Sequence, residues 1–415
     1  MKLINLTKNN PIQFYLLSVV LFQIGSIVRL QLQSQAIGNS FRIVSVCFLL
    51  YSLYNQISRR VSWKYPAIYV FLIVWNVANL LLSVFFRGGL NLTRTFGEEG
   101  YVLSYMLPFL LFFNVSKLNV RNLLNCTTLF VVLAVVLILL NFRLLAFASS
   151  SYAIESLMNE TSGLGTLAQL PIAWSIPASI ALMNLNYISK KQILLILFAY
   201  IFAIAFSMTF GRRTVTLYGL LFLFCAYVMF ILNKSYKRSV KNKVTFWVCL
   251  SLCFIIPFAL STFSFLFDRG LEDTRSGVNE AFHMDMNMWD YIFGRGINGT
   301  YYDPMSIFDH INNQRTGHET GYLNVILHAG LLYLIPYVLV SVHSFYLGFF
   351  KSKNIWIKSL AIYVFINTIM LLIGATPKFN LRFFIVWIGI VFCNNKFLRA
   401  MDNKQISNYL NLDKS

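Results

Sequence analysis

The sequence predicts an all-α polytopic bundle of about twelve transmembrane helices with one large external loop, and three observations lead there. First, 57% of the residues are hydrophobic and 12% charged, with a mean hydropathy of +0.64, whereas a soluble domain carries roughly a quarter of its residues as charges. Second, apolar runs of roughly 17 to 25 residues recur along the chain, each long enough to cross the hydrocarbon core of a bilayer. Third, these runs are continuous and do not alternate, so they are not barrel strands. Open strands would leave backbone groups unpaired in lipid, so the spans are helices.

In chain order the runs cover 12–30, 41–57, 67–86, 100–116, 123–141, 164–183, 192–210, 214–233, 244–266, 326–350, 355–375 and 381–397. The first follows Lys2 and Lys8 as a signal peptide would, but from Ile12 to Leu30 it has no small-residue cleavage site. It is read as a retained first helix. The tenth run either starts at 326 or is preceded by an interfacial helix near His318, and the twelfth is short. The expected organisation is nine helices over 1–266, an external loop over 267–318, three helices over 319–397 and a cytoplasmic tail over 398–415. No internal repeat is visible in the sequence. All six cysteines fall in apolar runs and none in the long loop, where an oxidising compartment could pair them. Cys249 and Cys253, one turn apart, read as packing residues.

Orientation follows from the basic residues. With the N-terminus in the cytoplasm, 21 of the 34 Lys and Arg gather on that side against two acids, Asp402 and Asp413. The opposite side holds 13 basic and 13 acidic residues, so both termini are expected in the cytoplasm. The net charge of +19 is then an insertion signal, and it calls for no nucleic-acid partner. The two faces also differ in kind: 16 Lys and 5 Arg inside, 12 Arg and the single Lys378 outside. A guanidinium binds phosphate oxygens as a planar fork and keeps its charge when partly dehydrated. The asymmetry therefore suits a phosphate-bearing ligand at the outer face. It equally suits anchoring of residues such as Arg29, Arg42 and Arg143 at headgroups, with pairing to the thirteen outer acids.

The interval Phe267 to His318 holds four Arg, three His and eight Asp or Glu. Flanked by spans, it is expected to stand in water at one membrane face, and so dense a set of ionisable groups predicts a site there. Arg275 comes first, either binding phosphate or pairing with Glu272 or Asp273. Gly294-Arg295-Gly296 marks a tight turn, not a nucleotide cradle, because no strand precedes it. Arg315, His318, Glu319, Tyr322 and Leu323 follow, with Gly330 at the next span. Earlier, the seventh run ends in Ser207-Met-Thr-Phe-Gly-Arg212-Arg213. Adjacent residues point in different directions, so at most one of the two arginines faces a ligand.

His318 is a proton acceptor on this reading, or alternatively a helix cap or headgroup contact; an imidazole or a carboxylate can take a proton where an arginine cannot. Glu319 or Tyr322 would orient its ring or touch a ligand. His283, among Met and acidic residues, reads as part of an amphipathic surface helix and not as a metal site. His310 and His328 carry no assignment, and His343 reads as a satisfied buried residue. Trp289, Tyr291, Tyr301 and Tyr302 suit either sugar stacking or a bilayer interface.

The order Arg275, Gly294-x-Gly296, His318 with Leu323 beyond it, and Gly330, across a large external loop and after a Ser/Thr-rich helix ending in Arg, resembles the O-antigen polymerase and O-antigen ligase superfamily. The motif region covers about residues 207–332, and the twelve-helix layout extends the likeness over the chain. Glu319 departs from it, since many relatives carry a small polar residue or Asn after the His. The resemblance implies a polysaccharide polymerase of the bacterial inner membrane, acting on O-antigen, capsule or exopolysaccharide repeat units. A growing glycan leaves its polyprenyl diphosphate carrier for a sugar hydroxyl of the next lipid-linked repeat unit. His318, Arg275 and Glu319 would be catalytic; Arg212, Arg213, Arg295, Arg315 and Tyr322 would bind substrate. The diphosphate is already a good leaving group, so cations at the developing charge matter more than a general acid. No metal and no cofactor is required. Expected partners are the polyprenyl-diphosphate-linked oligosaccharide, membrane lipids and a chain-length regulator. A ligase would differ only in its acceptor. A lipid-linked oligosaccharide flippase would share the outline, but carriers place polar residues in broken helices near the midplane and show repeats.

Overall fold

The computed structural model of the chain describes residues 10–32, 34–57, 65–86, 101–140, 170–209, 213–233, 235–262, 276–304, 313–374 and 376–412. The elements are almost all helical: α1 (Pro11–Leu32), α2 (Gln35–Ile57), α3 (Ala67–Phe86), α4 (Val120–Leu140), α5 (Lys190–Thr209), α6 (Arg213–Leu232) and α7 (Arg238–Thr262). The loop region contributes α8 (Ser276–Asp285), α9 (Met288–Phe293), β1 (Tyr301–Tyr302), β2 (Gln314–Arg315) and α10 (Gly321–Ala329). Then come α11 (Leu331–Phe350), α12 (Ile355–Ile369), α13 (Leu381–Asn394), α14 (Lys396–Ala400) and α15 (Asn403–Tyr409).

Eight described helices are long and apolar enough to cross a membrane: α1 to α6, α11 and α12. The expected fourth, sixth and twelfth runs are shorter apolar helices, Val102–Phe112, Leu170–Leu182 and Leu381–Asn394. Pro108 and Pro177 each stand at the start of a 3-10 turn within these helices, where an α-helical backbone bond is lost. The tenth run is divided: α10 stops at Gly330 and α11 starts directly after it. A separate short helix, α10, therefore precedes this span.

Two compact units share the chain, Met1–Asn122 with Thr274–Asn411, and Leu123–Asp273 with Leu412–Ser415. In the second, Gly219 of α6 lets Ile172 and Ile204 approach to 2.8 and 3.0 Å of where a Cβ would stand. Cys249 and Cys253, expected to pack, are exposed on α7, so they contribute to the outer surface and not to a core.

The first unit opens with a close α1–α2 hairpin. Gly25 and Gly38 each place a backbone carbonyl within 2.9 Å of the other's missing Cβ, so only small residues fit the crossing. Ser45 donates to the Ser18 carbonyl (2.7 Å) and Ser52 to that of Pro11 (2.7 Å). Arg42, read as a headgroup anchor, is instead buried here, donating to Ser26 Oγ at 3.0 Å with its guanidinium over the Phe22 ring.

Further along, Tyr69 of α3 joins α11 and α13: its hydroxyl lies 3.0 Å from His343 Nδ1, 3.1 Å from Ser344 Oγ and 3.1 Å from Asn394 Oδ1. His343 is thus a satisfied polar group, as its place in an apolar run suggested. Asn354 holds the C-terminal helices, donating to the carbonyls of Leu398 and Met401.

One face of α3 carries Trp75, Asn79 and Ser83, spaced four residues apart, and all three bond the loop region. Trp75 Nε1 donates to the Ala329 carbonyl (2.9 Å), Asn79 Nδ2 to that of His328 (3.2 Å), and Ser83 Oγ accepts from the Ile297 N–H (3.0 Å). Eight residues of helix rise span about 12 Å. Of the expected external loop, Phe293 packs on Trp75 and Ile297 bonds Ser83, while the other two bonds come from α10, in the expected tenth run.

Candidate functional site

The docked region is built around a pair of glycines. Helix α9 begins at Asn287, whose side chain accepts from the Asp290 N–H while Asp290 caps Asn287 in return. It ends at Gly294 with φ 68°. Helix α10 ends in the same way at Gly330 with φ 72°. The two caps face each other, and a Cβ on Gly294 would lie 2.6 Å from the backbone nitrogens of Ala329 and Gly330. Between the helix ends, Arg295 N–H donates to the Leu327 carbonyl at 2.6 Å. The Gly-Arg-Gly turn is therefore a helix-to-helix junction.

Arg295 was expected to bind substrate. Its guanidinium is spent inside the loop: Nε and Nη2 reach Asp290 Oδ2 at 3.0 and 2.9 Å, Nη1 reaches Asp285 Oδ2 and the Thr300 carbonyl (2.8 Å), and Nη2 also reaches the Asp285 carbonyl (2.5 Å). Those bonds engage all five N–H donors that an arginine has. Burial by itself would lower its pKa, but the hydrogen bonds and charges of Asp290 and Asp285 outweigh that and raise it. Arg295 is a strut within its own loop.

Arg315 sits opposite Tyr301 in the two-residue antiparallel ladder of β1 and β2. It donates to Asp303 Oδ2 (3.0 Å), a carboxylate 2% exposed, and to Glu319 Oε1 (3.0 Å), which is 49% exposed. Burial opposes its charge, while Tyr301, Asp303 and Glu319 favour it and leave its pKa raised. The Tyr301 hydroxyl is pushed up to about 12, first by burial. This hydroxyl is buried without a hydrogen-bond partner among the described residues.

His318 is buried on the loop's own small core, its ring 5.1 Å from that of Phe282 and 5.9 Å from that of Tyr301. Its backbone N–H donates to Asn324 Oδ1 (2.8 Å), and its Nδ1 accepts from the Thr320 N–H (3.0 Å). A nitrogen that accepts from a backbone amide carries no proton, so the neutral ring is protonated at Nε2. The Thr320 N–H and the two aromatic rings meet the imidazole, and Glu319 pairs with Arg315. Tyr322 is half-buried on the core cluster beside Tyr291, whose pKa is raised by burial and then by Tyr322.

Tyr291 in turn lies 2.6 Å from His283 Nδ1, so His283 has an aromatic partner on a surface helix. His328, unassigned from sequence, lies 3.2 Å through Nδ1 from the Gly296 carbonyl. It lines a small cleft with Ser104, Tyr105, Asn324, Val325, Tyr333 and Pro377. The signal that would have found this neighbourhood is the run Asn76, Asn79 and Ser83 on one face of an apolar span.

Arg212, Arg275 and His310 lie outside the described residues, as do Glu272 and Asp273. Arg213 opens α6. The structure therefore brings together His318, Glu319, Arg315 and Tyr301, with Tyr322 on the same small core. Lys378 is half-buried just before α13, and burial, then the charge of Arg382, pushes its pKa down to about 8. The unfolded chain then holds this proton up to higher pH than the folded chain, so stability should rise between about pH 8 and the lysine's ordinary pKa of about 10.4. Thermal unfolding of wild type against Lys378→Met, whose profile should lack that rise, checks the sign.

Comparison with protein families, with characterised proteins and with solved structures gives no match. What the fold defines is a multi-pass helical membrane protein. Its loop region carries a built cluster of His, Arg and carboxylate.

Proposed function

We propose that the chain is a membrane glycosyltransferase, a polysaccharide polymerase that moves a growing glycan from polyprenyl diphosphate to a sugar hydroxyl of the next lipid-linked repeat unit. It would work at the outer face of a bacterial inner membrane, with both termini in the cytoplasm. The observation carrying this reading is His318 held in a fixed orientation beside the Arg315–Glu319 pair, in the same interval as Arg275. As the anomeric carbon–oxygen bond breaks, the electron pair passes to the diphosphate, where cations and N–H donors stabilise the charge. Arg275 and one of Arg212 or Arg213 are the phosphate ligands in this proposal, with Arg315 held by its two carboxylates close to His318.

The tautomer changes the role of His318. Protonated at Nε2 when neutral, it serves as a hydrogen-bond donor, to the departing phosphate oxygen or to a sugar oxygen. The proton of the attacking hydroxyl then goes to a carboxylate, and Glu319 is the exposed one beside the histidine. His318→Gln, which keeps an N–H near the Nε2 position, is expected to retain activity within about tenfold of wild type, whereas His318→Ala loses roughly 100-fold or more. Initial rates of lipid-linked repeat-unit polymerisation in proteoliposomes test this. Equal loss in both variants would return the general-base role to His318.

A further inference from the structure

We infer that the corner between α8 and α9 is an interfacial anchor, seating Met284, Met288 and Trp289 in the headgroup region of the bilayer that the chain's own helices cross. The three side chains are 77%, 74% and 66% exposed and adjoin one another across the Asn287 cap. On the opposite side, Phe282 and Met286 are buried in the loop's small core, so this surface is set apart from that core. Large apolar side chains grouped this way on a water-facing loop mark an interaction surface.

Two observations name the lipid bilayer as the occupant. The patch is continuous with a membrane helix: Trp289 stacks on Phe293 (5.9 Å), and Phe293 packs on Trp75 of α3 (5.7 Å). The same helix presents Phe71, Val74, Leu81 and Phe85 outward, as a lipid-facing side must. In addition, Asp285 and Asp290, the acids nearest the patch, are both held by Arg295. Free carboxylates beside the patch would be repelled by anionic headgroups, and the clamp removes that obstacle. Trp at the headgroup level with Met below is the composition of an interfacial helix. This inference is independent of the proposed enzymatic activity.

The test uses the full chain in phosphatidylcholine–phosphatidylglycerol vesicles whose acyl chains are brominated near the headgroup. Trp289→Phe keeps the stack on Phe293, so the difference in emission between wild type and variant reports Trp289 alone. That difference is expected to fall at least about twofold with the brominated lipid and to resist iodide in the water. Quenching by iodide and not by bromine would overturn the inference. Protection from both would also overturn it, because it would place protein over the patch. Should Trp289→Phe fail to fold, Met284→Gln with Met288→Gln keeps every tryptophan, and bromine quenching of the total emission should weaken. Unchanged quenching there contradicts the anchor.

Discussion

Gly294→Ala and Gly330→Ala are each expected to destroy the docked loop, at a cost of about 4 kcal/mol or more. Two penalties combine. Each glycine has a φ near +70°, which an L-residue adopts only with strain. Each also lacks room: a Cβ on Gly294 meets backbone nitrogens at 2.6 Å, and one on Gly330 meets the Ile292 carbonyl and the Gly294 nitrogen. Because both obstacles are backbone, no side chain can rotate away. The helix ends would have to separate, breaking the Arg295 N–H bond to the Leu327 carbonyl and the α3 contacts beside it. Limited proteolysis in detergent should cut both variants within the loop under conditions where wild type resists. Gly277, which has open space around its missing Cβ, is the control and should tolerate alanine.

The second large effect is expected at Arg295. Arg295→Lys keeps the charge yet should cost roughly 3 kcal/mol, since an ammonium cannot reproduce a planar fork that serves two carboxylates and two carbonyls. Asp285 and Asp290 are 31% and 19% exposed, so water recovers part of what the arginine supplied. The loss therefore falls well below the sum of five charge-assisted bonds. The shift in melting temperature, with binding of a phosphate-bearing substrate measured on the same samples, separates two roles. A strut loses stability first, whereas a phosphate ligand would lose affinity at unchanged stability.

The helical membrane class was legible because hydrophobic run length reports directly on bilayer thickness. Helices α1 to α6, α11 and α12 lie on runs visible in the sequence. The division at Gly330 was partly legible, since the glycine stands at the start of an apolar run. Its cause was not: the positive φ is required by Gly294, thirty-six residues earlier, meeting it face to face. Arg295 shows the same limit. Gly-x-Gly announced a turn, but Asp285, Asp290 and Arg295 converge only because α9 folds back between them. Charge alone cannot distinguish an arginine committed to its own loop from one offered to a ligand.

The roles expected of Glu319 and Tyr322 depended on nearness in sequence to His318. The ring also meets the Thr320 N–H and Phe282, the latter brought in from α8, a contact that nearness in sequence does not show. Asn76, Asn79 and Ser83 form an uncharged polar stripe on an apolar span, a weaker signal in the sequence than the charges of the loop.

Reconstitution shows whether the chain joins lipid-linked repeat units, as proposed. Purified protein in lipid, supplied only with polyprenyl-diphosphate-linked repeat units of its own cell, is examined for a product ladder by gel. Wild type should build the ladder, and folded Arg275→Ala and His318→Ala should not. A folded wild type that leaves the units unjoined would contradict the claim, and addition of a lipid acceptor would then separate a ligase from a carrier.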